Sequence, residues 1–262
     1  MPTTIPTTTS STRPGSPSTG DAYFETDTKN YIIYDGANWR GYASDRAFGT
    51  FTFTSNSYSG EFDGTADYIS VGTISQLSGS SNATVTGWFN YDTIQRIIVS
   101  SGSSSSANFA IRPESTSQLR VLVTGTNTDV TLGISGGISS GTWYHFAVVI
   151  SGTSLTVYIN GSASDGGSGT ISGLSSGWAD DLDIGRNTPN WSTNPRYFDG
   201  KLDELAVFDS ALTSTAVSNI YNNKTYVDPV AVWRFESDVT EVTGVYNGTN
   251  NGVTFSPSDK PY

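Results

Sequence analysis

Apolar and polar residues alternate over short stretches along much of this 262-residue chain. Phe51 and Phe53 alternate with threonines, and residues 83–90 place Ala, Val, Gly and Phe at every second position. A period of two is typical of a β-strand that buries one face. Comparable stretches, separated by Gly-, Ser- and Asn-rich turns, lie at 62–71, 94–100, 109–112, 119–124, 143–151 and 155–160. The pattern predicts an all-β protein made of many short strands.

Residues 197–212 (YFDGKLDELAVFDSAL) have the strongest strand pattern in the chain. An Asp-Gly turn leads into eight residues with apolar side chains on both faces, which is typical of a strand in the middle of a sheet. Strict alternation puts Leu205 and Val207 on one face, and the other face then carries Leu202, Ala206 and Phe208. Burial of an unpartnered carboxylate is costly, so we expect Asp203 and Glu204 near the sheet rim, bound to backbone amides, an arginine or a cation.

One helix is predicted, at residues 213–221. Thr213 or Ser214 can cap its N-terminus, and the spacing of Val217, Ile220 and Tyr221 gives it one apolar face. The position where a capping box requires an acidic residue holds Ala or Val instead, so the cap is incomplete.

Composition narrows the class of protein. Only 35% of the residues are hydrophobic and 14% are charged, while glycine alone accounts for 28 residues. The net charge of −11 argues against nucleic acid and anionic membranes as partners, because phosphate binding requires clustered Lys and Arg. No cysteine is present, which excludes disulfides and thiolate metal sites. No apolar run approaches the ~18 residues of a membrane span, and we expect neither a span nor a signal peptide.

Five segments, in this order along the chain, resemble motifs of laminin-G-like domains with the concanavalin A-like jelly-roll fold. They are residues 62–69 (FDGTADYI), 143–149 (WYHFAVV), 155–161 (LTVYING), 182–186 (LDIGR) and 197–212, which contains the DGKLDELAVF run. The resemblance implies a sandwich of two antiparallel sheets over residues 47–262. A jelly-roll of this type is often a lectin module, and some relatives are glucanases.

The N-terminal region has a different character. Residues 1–20 are mostly Thr, Ser and Pro, which predicts either a disordered tail or an extended arm that docks on a neighbouring subunit. Residues 21–46 read as three short aromatic strands, too small to be stable alone. The stretch GDAYFETDTKNYIIYDGANW at 20–39 resembles a module found near the ends of bacteriophage fibre and virion proteins. That resemblance implies an attachment module in a virion protein.

The last segment, residues 230–262, is out of the usual order. Its AVWRF, YNGT and GVTF motifs resemble the segment that normally begins a laminin-G-like domain. Either the domain is circularly permuted, with these strands completing the same sandwich, or they open a second domain. A half-domain would expose an apolar edge strand, and we therefore favour permutation.

The sequence provides no convincing catalytic site, and we predict that the protein is not an enzyme. Glucanases of this fold carry E-x-D-x-x-E on one strand, whereas alternation places Asp203 and Glu204 on opposite faces. The lone histidine, His145, lies in a core-strand pattern and is expected to be structural. No glycine-rich phosphate-binding loop is present.

The polar region 175–196, with Tyr197 at its end, carries the aromatic and polar side chains that a glycan site needs. Aromatic rings stack on sugar faces and amides or guanidinium groups bond to hydroxyls, which makes five residues candidates for a glycan site. They are Trp178, Trp191, Asn194, Arg196 and Tyr197. The alternative is that the rings cap the core beneath a long loop.

Calcium is a possible cofactor by resemblance, because laminin-G and pentraxin domains often bind it at one rim through carboxylate and carbonyl oxygens. Asp180 and Asp181 are the candidate ligands. No linear ligand pattern like that of an EF-hand supports the site.

Together these resemblances imply a bacteriophage virion surface protein, assembled in the bacterial cytoplasm. Its N-terminal arm and strands would bind other capsid or tail proteins, and its lectin-like domain would face outward as a capsid decoration, head fibre or tail adhesin for host glycans. A homo-oligomer is expected. The alternatives are a structural cement protein without a glycan ligand, and a glycan hydrolase.

Overall fold

A computed structural model describes residues 7–9, 11–18, 21–25, 30–34, 39–43, 50–103, 106–123, 128–174, 181–187, 196–257 and 259–262. Contacts between residues divide the chain into two compact units, Met1–Phe48 and Gly49–Tyr262. In the described part of the chain, no helix is long and apolar enough to cross a membrane.

The first unit contains a four-stranded sheet in the order β1-β2-β3-β4. Its strands are β1 (Thr7–Thr8), β2 (Ala22–Glu25), β3 (Asn30–Tyr34) and β4 (Trp39–Ala43). The last three form the antiparallel meander that the aromatic pattern predicts. The Thr/Ser/Pro-rich segment adds β1, which pairs with β2 in parallel, so the sheet has one strand more than predicted.

The second unit contains the remaining strands and two helices. In chain order the strands are β5 (Thr50–Thr52), β6 (Ser59–Asp63), β7 (Tyr68–Gly72), β8 (Asn82–Tyr91), β9 (Val99–Ser103), β10 (Ser106–Ser115), β11 (Gln118–Val123), β12 (Thr128–Gly133), β13 (Tyr144–Ser151), β14 (Ser154–Ile159), β15 (Ser168–Thr170), β16 (Leu182–Ile184), β17 (Asp199–Phe208), β18 (Thr225–Val227), β19 (Ala231–Trp233), β20 (Thr249–Asn251) and β21 (Thr254–Ser256). The helices are α1 (Ala163–Gly166) and α2 (Ser214–Asn223), and a 3-10 turn covers Ser75–Leu77.

Two large sheets form the second unit, and all their strand pairs are antiparallel. Sheet I has the order β12-β11-β10-β9-β16-β7-β20. Sheet II has the order β15-β14-β13-β8-β17-β6-β21, with β19 also paired to β17. Apolar side chains from both sheets make one continuous core, which confirms the predicted all-β, concanavalin A-like jelly-roll sandwich.

The C-terminal segment contributes strands to both sheets. β19 pairs with β17 and β21 pairs with β6 in sheet II, while β20 pairs with β7 in sheet I. Trp233 of β19 is fully buried, and its indole Nε1–H donates to the Tyr246 carbonyl at 2.8 Å.

The central strand β17 does not alternate as predicted. Leu202 faces the sandwich core together with Leu205 and Val207, while Ala206 and Phe208 face a second apolar cluster on the other side. The pairing with β8 shifts register between Asp203 and Ala206. A β-bulge inserts one residue here, so the prediction that Leu202 shares a face with Ala206 was wrong.

Helix α2 confirms the predicted helix. Thr213 is the N-cap, and its hydroxyl oxygen accepts a hydrogen bond from the Ala216 N–H at 3.2 Å. Val217 and Ile220 are buried beneath the helix, on the face of sheet II that points away from sheet I.

Candidate functional site

The outer face of sheet I carries an unusual set of side chains. In β10 and β11, Phe109, Ile111, Leu119 and Val121 point into the sandwich core. The alternate positions therefore face away from it. These outward positions place Ala110 opposite Leu122 and Arg112 opposite Arg120 across the two strands. An apolar pair and a cationic pair thus lie side by side on this face.

A cavity of about 240 Å³ opens on this outer face. We call it the arginine cavity; it is lined by Ile97, Ala110, Arg112, Arg120, Leu122, Asn187 and Arg196. Ile97, Ala110 and Leu122 form a buried apolar cluster of their own, which makes the floor. Three guanidinium groups and one side-chain amide make the wall, and no acidic side chain is among the described lining residues.

Glu114, next to the cavity, holds two of the arginines. Its Oε2 accepts from Arg112 Nε at 2.8 Å and Nη2 at 2.7 Å, and it lies 3.8 Å from Arg120 Nη1. The Arg112 side chain is only 9% exposed, so this pair fixes its position in the wall.

Arg196 enters the wall from the loop that precedes β17. Its backbone N–H donates to Asn187 Oδ1 at 2.5 Å, and its carbonyl accepts from the Ile97 N–H at 3.2 Å. Its Nη1 donates to the Gln95 carbonyl at 3.2 Å. Burial, and then the positive charge of Arg112, lower the pKa of the Arg196 guanidinium. The charged form of Arg196 is therefore held in an environment that disfavours it.

A second cluster of polar groups lies on the outer face of sheet II. We call it the carboxyl cluster; it comprises Asp203, Glu204, Asn56, Tyr226, Arg234 and Tyr262. The β17 bulge allows both carboxyl groups to join it, because the inserted residue breaks the alternation. Asp203 and Glu204 are both fully buried. The prediction that they lie near the rim was wrong, as was their assignment to opposite faces. The predicted partners are present: Asp203 accepts from a backbone amide, and Arg234 Nη2 lies 3.8 Å from Glu204 Oε1.

Each carboxyl group in this cluster has specific partners. Asn56 Nδ2 donates to Asp203 Oδ2 at 2.6 Å, and the Glu204 N–H donates to Asp203 Oδ1 at 2.7 Å. The hydroxyl of Tyr226 donates to Glu204 Oε2 at 2.9 Å, and that of Tyr262 donates to Glu204 Oε1. Burial raises the pKa of Asp203, and the neighbouring Glu204 charge raises it further. Burial also raises the pKa of Glu204, against the hydrogen bonds of the two tyrosines.

His145 lies beside this cluster and is fully buried, in keeping with its predicted structural role. Its Nε2 is 2.8 Å from the Thr86 hydroxyl, and its ring packs edge-on against Trp88. Burial, with a smaller contribution from the charge of Lys224, lowers the pKa of His145 to about 3. The imidazole is therefore neutral at physiological pH and is not placed to act as a base toward the arginine cavity.

The sequence comparison identifies the fold family. A laminin-G-type family model, described as the concanavalin A-like lectin/glucanases superfamily, matches residues 63–218, more than half of the chain. The chain belongs to this superfamily. No curated protein sequence matches it significantly.

Two solved structures illustrate how far the superfamily fold is shared. One is a provisionally assigned carbohydrate binding protein from Bacteroides ovatus ATCC 8483, with 17% identity, a TM-score of 0.60 and coverage of 94% of this chain and 71% of that one. The other is the native heptameric SAP-like pentraxin of Limulus polyphemus, with 19% identity, a TM-score of 0.57 and coverage of 78% and 96%. At these identities the likeness establishes the fold alone.

The structure places the predicted glycan-binding residues of this lectin-like domain in different environments. Arg196 lines the arginine cavity. Tyr197, the next residue, is half-buried and packs against Tyr68 with ring centroids 6.3 Å apart, so it is not part of the cavity lining. Trp178, Trp191 and Asn194 lie outside the described residues, and their role stays a prediction.

The calcium prediction gains no support from the described residues. Asp181 is an exposed turn residue, and Asp180 lies outside the described residues. Asp183 nearby is 2% exposed and accepts from Arg186 Nε at 2.8 Å. No group of three or more His, Cys, Asp or Glu in the described part of the chain could hold a metal ion. Asp181 is the only one of the two candidate ligands that the structure describes, so calcium binding by this pair stays a prediction.

Sequence reasoning missed Arg112 and Arg120. Both lie in strands whose apolar residues were read as core, and their pairing across β10 and β11 depends on strand register. The available signal was the alternation itself: A-x-R in β10 and R-x-L in β11 put arginine and small apolar residues on the same outer face.

Proposed function

We propose that this protein binds carbohydrate, without turning it over, in the arginine cavity of its lectin-like domain. The observation that supports this most is the cavity itself, which combines an apolar floor with hydrogen-bond donors at its wall. Sugar rings present an apolar C–H face and a polar rim of hydroxyls, and this lining complements both. Fold similarity to a provisionally assigned carbohydrate binding protein agrees with the proposal.

Binding without hydrolysis follows from where the carboxyl groups lie. Glycosidases need two carboxyl groups about 5–9 Å apart on either side of the scissile bond. Asp203 and Glu204 are fully buried on sheet II, bonded to Asn56 and two tyrosines, whereas the cavity lies on sheet I. Neither is placed to reach a sugar in the arginine cavity. Glu114, the carboxyl group next to the cavity, is bound to Arg112, and no acidic side chain is among the described lining residues.

A glycan array with the full chain tests carbohydrate binding, and Ala110→Leu tests the site. Ala110 is 2% exposed on the cavity floor, so a larger side chain fills part of the space a sugar ring would take. We expect wild-type binding to a defined set of glycans and a loss of about tenfold or more in the variant, the cost of displacing a well-fitted ring. Its melting temperature serves as the folding control.

Absence of binding to any glycan would contradict the proposal and favour a structural cement protein. Release of reducing ends from a bound polysaccharide would contradict binding without turnover.

We further propose that this domain is displayed on a bacteriophage virion. Support comes from residues 20–39, which resemble an attachment module of virion proteins, and from their position in a unit separate from the lectin-like domain. In this proposal the first unit binds capsid or tail proteins and the second binds host glycan. Peptides of this chain are then expected in particles purified by density gradient. Their absence from intact particles of the producing phage would contradict the virion role.

A further inference from the structure

The arginine cavity has a local charge opposite to that of the chain as a whole. The protein carries 24 Asp and Glu against 13 Lys and Arg, yet Arg112, Arg120 and Arg196 all line one cavity. Arg96 is close enough to contribute to the electrostatic environment of Arg196. Like charges gathered in this way repel one another unless an anion lies between them. Glu114 balances part of this charge, through Arg112 and Arg120.

Arg196 retains hydrogen-bonding capacity for a ligand. A guanidinium group has five N–H donors, and the bond from Nη1 to the Gln95 carbonyl occupies one of them. The backbone of Arg196 is fixed on both sides, by Asn187 and by Ile97, so the side chain projects from a rigid base. Its planar fork matches a carboxylate with two parallel hydrogen bonds, which a lysine cannot provide.

The size of the arginine cavity and its apolar floor restrict the kind of molecule that can carry the bound anion. At about 240 Å³ the cavity is smaller than the ~300–1,000 Å³ clefts that hold drug-sized ligands, so it suits one sugar ring. The apolar floor made by Ile97, Ala110 and Leu122 accepts the C–H face of that ring. Asn187, only 2% exposed, supplies a neutral amide for a hydroxyl.

We propose that the arginine cavity selects acidic saccharides, with the ring carboxylate of a uronic or similar sugar acid bound by Arg196 and the ring resting on the apolar floor. This inference rests on the proposed carbohydrate-binding function and adds the class of sugar. Bound carboxylate would also relieve the repulsion between Arg196 and Arg112. Neutral sugars of the same shape leave that charge uncompensated and bind more weakly.

The test compares matched sugars by NMR-detected titration of the full chain: sodium D-glucuronate and D-galacturonate against D-glucose and D-galactose. We expect the uronates to bind at least about tenfold more tightly than the neutral sugars, the difference typical of a charged hydrogen-bonded pair. Arg196→Gln should remove this preference, and Arg196→Lys should restore only part of it. Lys201→Gln is the control, because it changes the net charge by the same amount. Lys201 lies on sheet II, where its Nζ is 3.1 Å from Asp259 Oδ2. This variant should prefer uronates over neutral sugars as strongly as wild type does.

The outcomes separate this inference from the proposed function. Equal binding of uronates and neutral sugars overturns the acidic selectivity and leaves carbohydrate binding intact. If D-glucose 6-sulfate binds more tightly than D-glucuronate, or if acetate binds as tightly as D-glucuronate, the assignment to a sugar carboxylate is overturned. If Lys201→Gln reduces the preference for uronates as much as Arg196→Gln does, the assignment of the site to the arginine cavity is overturned. If none of these sugars binds and the glycan array shows no ligand, both the acidic selectivity and the carbohydrate-binding function are overturned.

Discussion

Among single residues, Asp203 and Glu204 stand out as two adjacent carboxyl groups that are both fully buried. Glu204 also has a φ of +44°, in the left-handed region that few non-glycine residues occupy, which places its carboxyl group beside that of Asp203. Two adjacent buried carboxyl groups cannot both ionise at low cost. The pKa of each is raised, and protonation therefore favours the folded state.

Asp203→Asn should show this effect as a change in pH dependence. A carboxyl group whose pKa is raised on folding stabilises the protein at low pH, and that contribution is lost as pH rises from its ordinary value near 3.8 through its folded value. The amide remains neutral throughout. We expect the variant and wild type to have similar free energies of unfolding at pH 4, and the variant to be more stable by about 1–3 kcal/mol at pH 8.

Urea unfolding at a series of pH values measures this difference in the free energy of unfolding. His145 gives the free energy of unfolding the opposite pH dependence, because its pKa of about 3 makes the folded state lose stability as pH falls below about 6.5. That contribution is common to both proteins and cancels in the comparison. Destabilisation of the variant at pH 8 would show instead that its partners keep Asp203 ionised.

Tyr226→Phe tests the partner of the second carboxyl group. Its hydroxyl is a donor to Glu204 at 2.9 Å, and the residue is fully buried, so water cannot replace the lost bond. We expect a loss of about 1–3 kcal/mol in the free energy of unfolding at pH 7. Tyr221→Phe is the control: its ring packs on Trp88 and His145, and we expect a loss below about 0.5 kcal/mol. Equal losses would show that the effect is not specific to the hydrogen bond with Glu204.

At the scale of elements, periodicity predicted which strands exist but not how β17 is paired. The two-sided apolar pattern of residues 202–208 correctly indicated a central strand, which β17 is, between β6 and β8. The bulge after Asp203 is a property of the register with β8, where Gly87 lies opposite the extra residue, and residues 202–208 themselves contain no glycine that indicates it. Strict alternation therefore misplaced Leu202 and Glu204.

The candidate site was predictable to a similar extent. Arg196 could be selected because it follows a polar loop with no strand pattern. Arg112 and Arg120 could not, because their neighbourhood depends on the pairing of β10 with β11 and on the approach of Asn187 from another loop. A short-range pattern reports local conformation, whereas a cavity is made by contacts between segments distant in sequence.

The N-cap of α2 is an element-scale feature that mutation can test. Thr213→Ala removes the acceptor for the Ala216 N–H, and we expect a loss of about 0.5–2 kcal/mol in the free energy of unfolding. Thr213→Ser should retain most of the stability. Ala216→Glu should add a few tenths of a kcal/mol, because a glutamate at this position completes the capping box. Thermal unfolding followed by circular dichroism measures all three, and an unchanged Thr213→Ala variant would contradict the cap.

In the whole molecule, we propose that one unit serves attachment and the other serves recognition. Contacts separate Met1–Phe48 from Gly49–Tyr262, and all the described lining residues of the arginine cavity belong to the second unit. A truncated variant that begins at Ala47 should therefore keep its melting temperature and its glycan binding. It should lose oligomerisation and incorporation into virions. Light scattering and particle assembly measure these properties, and incorporation of the truncated chain into virions would contradict the assignment of attachment to the first unit.

Binding of a saccharide in the arginine cavity can be tested by mapping the bound ligand with NMR. Sodium D-glucuronate should shift the backbone amide signals of Ile97, Ala110 and Leu122, the three residues of the cavity floor. The signals of the carboxyl cluster on sheet II should remain unchanged. Shifts confined to another surface, or no saturable shift at the cavity floor with any glycan that the array identifies, would contradict the account.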